Sequence, residues 1–226
     1  MSLNKESKKN KQVKESTALL DFVRVTGAIP ALVWKRPKVY YVGDKQKSRP
    51  KGGVLFTSNH ITFTDPILLY CAFWYRRLRF LATKDLYKNG LVSFLFSAAG
   101  CIQVDKDNFN MSSLHSVVDK LKEGKALLIF PEGQVNQKEQ MLSFKSGAVL
   151  MAQLGGAPIQ PVFIARREKW YHRTPVLVGE PIDVKAMCSR FPSMEEMQKV
   201  TEYVYQQQKA LEQYYIKNIQ KGDLKK

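Results

Sequence analysis

A histidine and an aspartate lie close together in Asn59-His60-Ile61-Thr62-Phe63-Thr64-Asp65, and the two types together can take a proton from a hydroxyl. His60 closes the apolar run Gly53-Val54-Leu55-Phe56, which follows the turn signal Pro50-Lys51-Gly52-Gly53, so it is expected at the C-terminal end of a strand. Asp65 precedes Pro66 and the apolar stretch Ile67-Leu68-Leu69-Tyr70, which predicts an N-cap with proline at the first helical position. A tight strand-to-helix loop then brings the two side chains together. A neutral imidazole accepts a proton on one ring nitrogen, while a carboxylate on the other fixes the tautomer and stabilises the imidazolium. His60 is therefore the candidate general base and Asp65 its orienting partner. No serine or cysteine nucleophile stands beside them, so the attacking group would be the acceptor's own hydroxyl, with general-base help worth ~10² to 10⁴-fold. Taken alone, the pair fits a helix cap next to a polar strand end equally well.

A second block bears on that choice. Lys125-Ala126-Leu127-Leu128-Ile129-Phe130 is a near-continuous apolar run, the pattern of a strand buried on both faces, and Pro131-Glu132-Gly133 ends it abruptly. A carboxylate and a glycine there suit a cleft, because open α/β sheets bind ligands beyond the carboxyl ends of their strands. An ordinary Pro-Gly turn is the alternative.

In this order, the two blocks resemble the glycerophospholipid acyltransferase family. The family's first motif is complete as Asn59, His60 and Asp65 with Pro66 following, and its third as Phe130-Pro131-Glu132-Gly133. Phe144-Lys145-Ser146-Gly147-Ala148 is similar to the segment that follows the third motif, and Ala157-Pro158-Ile159-Gln160-Pro161-Val162 to the proline-bracketed strand of the fourth. Phe80-Leu81-Ala82-Thr83-Lys84 and Gly100-Cys101-Ile102-Gln103-Val104-Asp105-Lys106 look like the elements between the first and third. The resemblance runs from about Tyr40 to Asp183. It implies transfer of a fatty acyl group from acyl-CoA or acyl carrier protein to the free hydroxyl of a lysophospholipid, 1-acylglycerol-3-phosphate first among them. By the same resemblance Glu132 binds the acceptor. The tetrahedral oxyanion needs donors, and backbone N–H groups around Gly133 or the Lys84 ammonium are the candidates. Two departures stand out. The family continues Thr-Arg-Ser after the glycine, whereas this chain has Gln134-Val135-Asn136, so an arginine expected on the acceptor phosphate is Val135. The arginine of the second motif is Lys106, a point charge without the bidentate fork. Lys84, Lys106 and Lys145 are the candidate anion contacts, each equally readable as plain surface lysine.

Composition limits the classes that remain. The chain has 226 residues, within the ~250 that one core commonly supports. Thirty-six Lys and Arg against twenty Asp and Glu give a net charge of +16, which favours nucleic acid or an anionic membrane surface as partner. Zinc-ligand pairs, an RNP-like aromatic strand and a basic-flanked Gly-x-x-Gly clamp are all missing, so no nucleic-acid partner is expected. Cys71, Cys101 and Cys188 are scattered and odd in number, pointing to a reducing compartment and to core packing for the first two. The three histidines are too scattered to imply a metal, and no cofactor beyond the acyl donor is expected.

The elements that must position these residues follow from periodicity. Strands are predicted at 39–42, 53–57, 79–83, 102–104, 126–130, 159–165 and 176–178, with helical patterns between most of them. Leu114, Val117, Val118 and Leu121 mark a helix stopped by Gly124. Ser193 and Glu196 form a capping box opening a long amphipathic helix through Met197, Val200, Val204 and Leu211, expected to cover the sheet. The fold class is a single α/β domain, a mixed and mostly parallel sheet covered by helices. A basic, disordered N-terminus is expected over 1–15, an apolar and basic membrane-associating helical segment over 16–38, and the acyltransferase domain over 39–226. The apolar window 91–100 is expected to be a buried helix, with an acyl-chain tunnel as the other possibility. No run reaches the ~20 apolar residues of a spanning helix. The expected location is cytoplasmic, peripheral at the inner face of the membrane. A different lyso-lipid headgroup, or a non-enzymatic lipid-binding protein of this fold, stays open at the level of sequence.

Overall fold

Strongly apolar, β-branched segments separated by amphipathic helices have to bury both faces of any sheet they form, and in the computed structural model they do. The structure describes residues 36–83, 90, 101–104, 111–138, 140–167 and 172–220. Seven strands, β1 (Pro37–Tyr41), β2 (Val54–Ser58), β3 (Leu78–Thr83), β4 (Ile102–Val104), β5 (Ala126–Ile129), β6 (Ile159–Ile164) and β7 (Thr174–Val178), form one sheet in the order β1-β7-β6-β2-β5-β3-β4. Every neighbouring pair is parallel except β6 with β7. The mixed, mostly parallel sheet expected from the sequence is present, each predicted strand within a residue or two of its place. Pro37 and Lys38, placed by sequence in the membrane-associating segment, belong to β1, where they pair with Thr174 and Pro175. The boundary moved because parallel pairing with β7 recruits residues whose composition reads as a basic flank.

Among the described residues four α-helices cover the sheet: α1 (Asp65–Ala72), α2 (Met111–Lys122), α3 (Gly147–Gly155) and α4 (Met194–Tyr215). Alternation along β2 shows how two faces are filled from one strand. Leu55 joins Leu127 and Ile159 in a core with α2, α3 and α4, while Val54 and Phe56 turn the other way onto Leu68, Leu69 and Phe73 of and just beyond α1. The capping box of α4 forms as expected, with the Ser193 hydroxyl accepting from the Glu196 N–H and the Glu196 carboxylate accepting from the Ser193 N–H. The lower half of α4 lies on the sheet through Met197, Val200 and Val204, and its end packs Leu211 and Tyr215 against Phe163 and Leu177. Cys71 is buried, Cys101 only partly so. Burial pushes the Cys101 thiol up to about 11. The segments 1–35 and 91–100, and with them the expected N-terminal helix and the apolar window, lie outside the described residues. Among the described residues no helix is long and apolar enough to cross a membrane.

β2 occupies the centre of the sheet because α2 lets it in. A Cβ placed on Gly53, at the entry to β2, would fall on the Leu121 carbonyl at the end of α2, 3.0 Å from its carbon atom. Backbone cannot give way as a side-chain tip can. Gly53→Ala should therefore cost about 1–3 kcal/mol and lower Tm by several degrees, at about 2–4 °C per kcal/mol for a chain of this length. Thermal unfolding followed by circular dichroism measures it; an unchanged Tm would show that the helix end moves freely away from the strand.

Candidate active site

Strand register brings the two sequence blocks side by side. β2 and β5 are parallel with Thr57 opposite Ile129, so the next residues of each chain climb in step, and His60 comes level with Glu132. The contact is direct: the His60 N–H donates to Glu132 Oε1 at 3.3 Å. On the other side of β2, β6 is also parallel, with Ser58 opposite Val162. There the Asn59 side chain extends the ladder, Nδ2 donating to Ile164 O at 2.9 Å while Oδ1 accepts from Ile164 N–H at 2.7 Å. The asparagine of the first motif thus locks the end of β2 to β6 in the place where backbone pairing stops.

Asp65 is buried and gathers the loop around itself. Its Oδ2 accepts from the N–H groups of Ile61 and Thr62 at 2.6 and 2.7 Å and lies 3.1 Å from His60 Nδ1; its Oδ1 accepts from Thr62 Oγ1 at 2.6 Å. Thr64, not Asp65, is the residue preceding helix α1, and it makes no side-chain cap; Asp65 is the first residue of the helix. The N-cap expectation is corrected here. The carboxylate turns back to the preceding loop, where its oxygens meet four donors. Because an ionised carboxylate only accepts, His60 Nδ1 is the donor in this contact, which leaves Nε2 as the basic nitrogen. The His60 side chain is 15% exposed against 4% for Asp65, so the imidazole is reachable while its partner is not. The imidazole also stacks on Phe130, with ring centroids 4.0 Å apart and planes at 16°. Phe130 comes from the end of β5, so both motifs fix one ring.

Glu132 is 5% exposed, and its carboxylate ties three loops together. Oε1 takes the His60 N–H, while Oε2 accepts from Asn136 Nδ2 and from the Leu142 N–H, both at 3.1 Å. Asn136 returns the favour, its N–H donating to His60 O at 2.6 Å and its Nδ2 also reaching Gln140 O at 2.7 Å. Gly133 sits at φ +73°, a region costly for residues with a Cβ, and a Cβ there would come within 3.0 Å of Lys145 Nζ. The structure therefore brings Gly133 and Lys145 together. The Gly133 N–H donates to Phe130 O at 3.0 Å and closes the turn. Lys84 and Lys106 lie outside the described residues.

Beside His60 a cavity of about 360 Å³ opens between the strand ends and the end of α4. Asn59, His60, Ile61, Glu132 and Asn136 form one wall, with Phe163, Ile164, Ala165 and Arg166 from the β6 side and Glu212, Tyr215 and Ile216 from the helix. Burial pushes the Glu212 carboxyl up from its ordinary value, Lys209 opposing and Glu132 reinforcing the shift. Sequence reasoning missed Asn136, Arg166 and Glu212. An asparagine in a Gly/Asn loop carries a turn signal but no hint of its partner, and Glu212 sits in an amphipathic helix like any surface carboxylate. Among the described residues no group of His, Cys, Asp and Glu could hold a metal ion.

The two carboxylates separate by variant. Asp65→Asn should lower kcat at least about a hundredfold, since the imidazole loses both its tautomer and its countercharge. Glu132→Gln sets an amide N–H against at least one donor and should cost about 1–3 kcal/mol of stability together with part of the activity. Steady-state kinetics and thermal melts of both variants check this; an inactive but fully stable Glu132→Gln protein would mean that the side chain meets substrate rather than holding loops.

Comparison with known proteins agrees with the geometry. The Acyltransferase family model matches residues 39–165, which include both motifs. A 1-acyl-sn-glycerol-3-phosphate acyltransferase of Bacillus subtilis is 28% identical over 180 residues, covering 77% of this chain and 87% of that protein. A probable 1-acyl-sn-glycerol-3-phosphate acyltransferase of Mycoplasma pneumoniae is 32% identical over 121 residues, 51% of this chain, which spans only 45% of that longer protein. The fold is shared with the crystal structure of a 1-acyl-sn-glycerophosphate acyltransferase from Thermotoga maritima, at a TM-score of 0.63 and 23% identity over 86% of this chain and 78% of that one. With both motifs complete and the family model spanning the strands that carry them, the chain belongs to the acyltransferase family.

Proposed function

We propose that this acyltransferase moves a fatty acyl group from a thioester, acyl-CoA or acylated carrier protein, to the free hydroxyl of 1-acylglycerol-3-phosphate, giving phosphatidate. The observation that carries the reading is the His60–Asp65 contact at 3.1 Å, which engages Nδ1 in a residue that lines a cavity large enough for a glycerol headgroup. His60 Nε2 takes the hydroxyl proton as the oxygen attacks the thioester carbonyl. The tetrahedral intermediate collapses with loss of the thiolate, which recovers the proton from the imidazolium and leaves as thiol. Asp65 stabilises the imidazolium between those steps.

Glu132 serves the acceptor through the shape it gives the wall, as its oxygens are already engaged by His60, Asn136 and Leu142. Lys145, set against Gly133, supplies positive charge at the same strand end; Lys84 and Lys106 are assigned to anion binding by resemblance. The acceptor is a membrane lipid, and the net charge of +16 suits an enzyme working at an anionic surface, where each nearby Lys or Arg contributes ~1 kcal/mol of attraction. Phe63, at 81% exposure, projects from the catalytic loop itself, as an apolar contact with such a surface requires.

The test is acceptor-dependent thiol release from a long-chain acyl-CoA with 1-acylglycerol-3-phosphate, run on the purified protein and on His60→Ala. The expected result is turnover that needs the acceptor and falls by ~10²-fold or more in the variant. Turnover that survives in His60→Ala contradicts the base assignment, and release from acyl carrier protein alone would fix the other donor.

A further inference from the structure

A phosphorylated acceptor that reaches His60 needs a cation inside the same cavity. Val135, where a phosphate-binding arginine is expected, does not line it, and neither does Lys145. Among the described residues two cationic side chains do, Lys138 and Arg166. Arg166 follows β6 by two residues and lies over the loop that carries Asn136. Its Nη2 donates to the carbonyl oxygens of Gln137 and Lys138, the latter at 3.0 Å. These bonds tether the guanidinium by one nitrogen, and no contact of Nε or Nη1 is recorded among the described residues. The guanidinium is thereby held with little side-chain entropy left to lose, while Nε and Nη1, on its other sides, remain as single donors for an anion. The carbonyls that hold it belong to residues immediately after the segment that lacks the arginine.

We propose that Arg166 is the anchor for the phosphate of the acceptor, with Lys138 beside it, and that this pair sets the headgroup preference of the His60 cavity. The inference rests on the acceptor being 1-acylglycerol-3-phosphate. Phosphoryl groups also occur on coenzyme A, so the assignment commits to the acceptor's phosphate and predicts no role in donor affinity. Glu212 lines the same cavity, and its negative charge opposes an anionic headgroup. Burial, which disfavours its ionised form, lessens that opposition.

The experiment is equilibrium binding of a short-chain, water-soluble 1-acylglycerol-3-phosphate, together with KM for acceptor and for acyl-CoA, on the full chain and on Arg166→Ala, Arg166→Lys and Glu212→Gln. Arg166→Ala should weaken acceptor binding and raise its KM about tenfold or more, leave KM for acyl-CoA within about twofold, and be partly restored by Arg166→Lys, which keeps the charge. Glu212→Gln should bind this acceptor as tightly as the parent or more so. An unchanged acceptor KM in Arg166→Ala, or a rise in the acyl-CoA KM instead, overturns the anchor while leaving the reaction intact. Weaker acceptor binding in Glu212→Gln overturns it too, since that carboxylate would then be supporting the acceptor through its hydroxyl rather than opposing its phosphate. A parent protein that neither binds nor turns over this acceptor refutes the anchor and the proposed acceptor together.

Discussion

Parallel pairing of β6, β2 and β5 is the constraint on which the rest of the site depends. Parallel strands all present their carboxyl ends to the same edge of the sheet, and with Thr57 opposite Ile129 and Ser58 opposite Val162 the three chains leave the sheet level with one another. Asn59 then bonds to the last residue of β6 and His60 to the continuation of β5 before either chain has turned away. Slip β2 by one residue and every side chain would change face, taking Val54 and Phe56 out of one core and Leu55 out of the other. Hydrophobic burial on both faces of the sheet thereby fixes the position of His60, the proposed base.

Beyond the last paired residue, where no ladder remains, two buried carboxylates take over. Burying a carboxylate is costly unless donors surround it, and the loops have folded to supply them: Asp65 meets two backbone N–H groups, a hydroxyl and the imidazole, and Glu132 meets His60 N–H, Leu142 N–H and the Asn136 amide. Only Asp65 touches the imidazole. Glu132 acts on its backbone, so the two acids, similar in chemistry and both close to His60, hold different parts of one residue. Facing them, the cavity carries opposite charges in Arg166 and Glu212 from elements far apart in the chain.

Much of this was legible beforehand, and the reasons differ by residue. All seven strands could be placed because each is an apolar or alternating run, and the helix through Leu114 and Leu121 because its spacing is helical. His60 and Asp65 could be paired because their partner groups lie in one short loop. Glu132 could be placed at a cleft by the abrupt end of β5, but not its partners, since Asn136 and Leu142 reach it through a loop whose path no periodicity encodes. Asp65 was misjudged as a cap because the sequence Asp-Pro before an apolar run is the same whether the carboxylate points forward to the helix or back to the loop. Arg166 was invisible for a simpler reason. It is one of thirty-six basic residues, and only the fold puts it beside His60.

The central claim is that Asp65 commits the imidazole of His60 to a single tautomer, protonated at Nδ1 with Nε2 free to act as base. Nitrogen-15 NMR of the histidine rings tests it directly, with the His60 signals among the three histidines assigned by their disappearance in His60→Ala. At a pH where His60 is neutral, the account predicts a protonated Nδ1 and an unprotonated Nε2, and loss of that preference in Asp65→Asn. A ring found with its proton on Nε2, unchanged by the aspartate substitution, would contradict it.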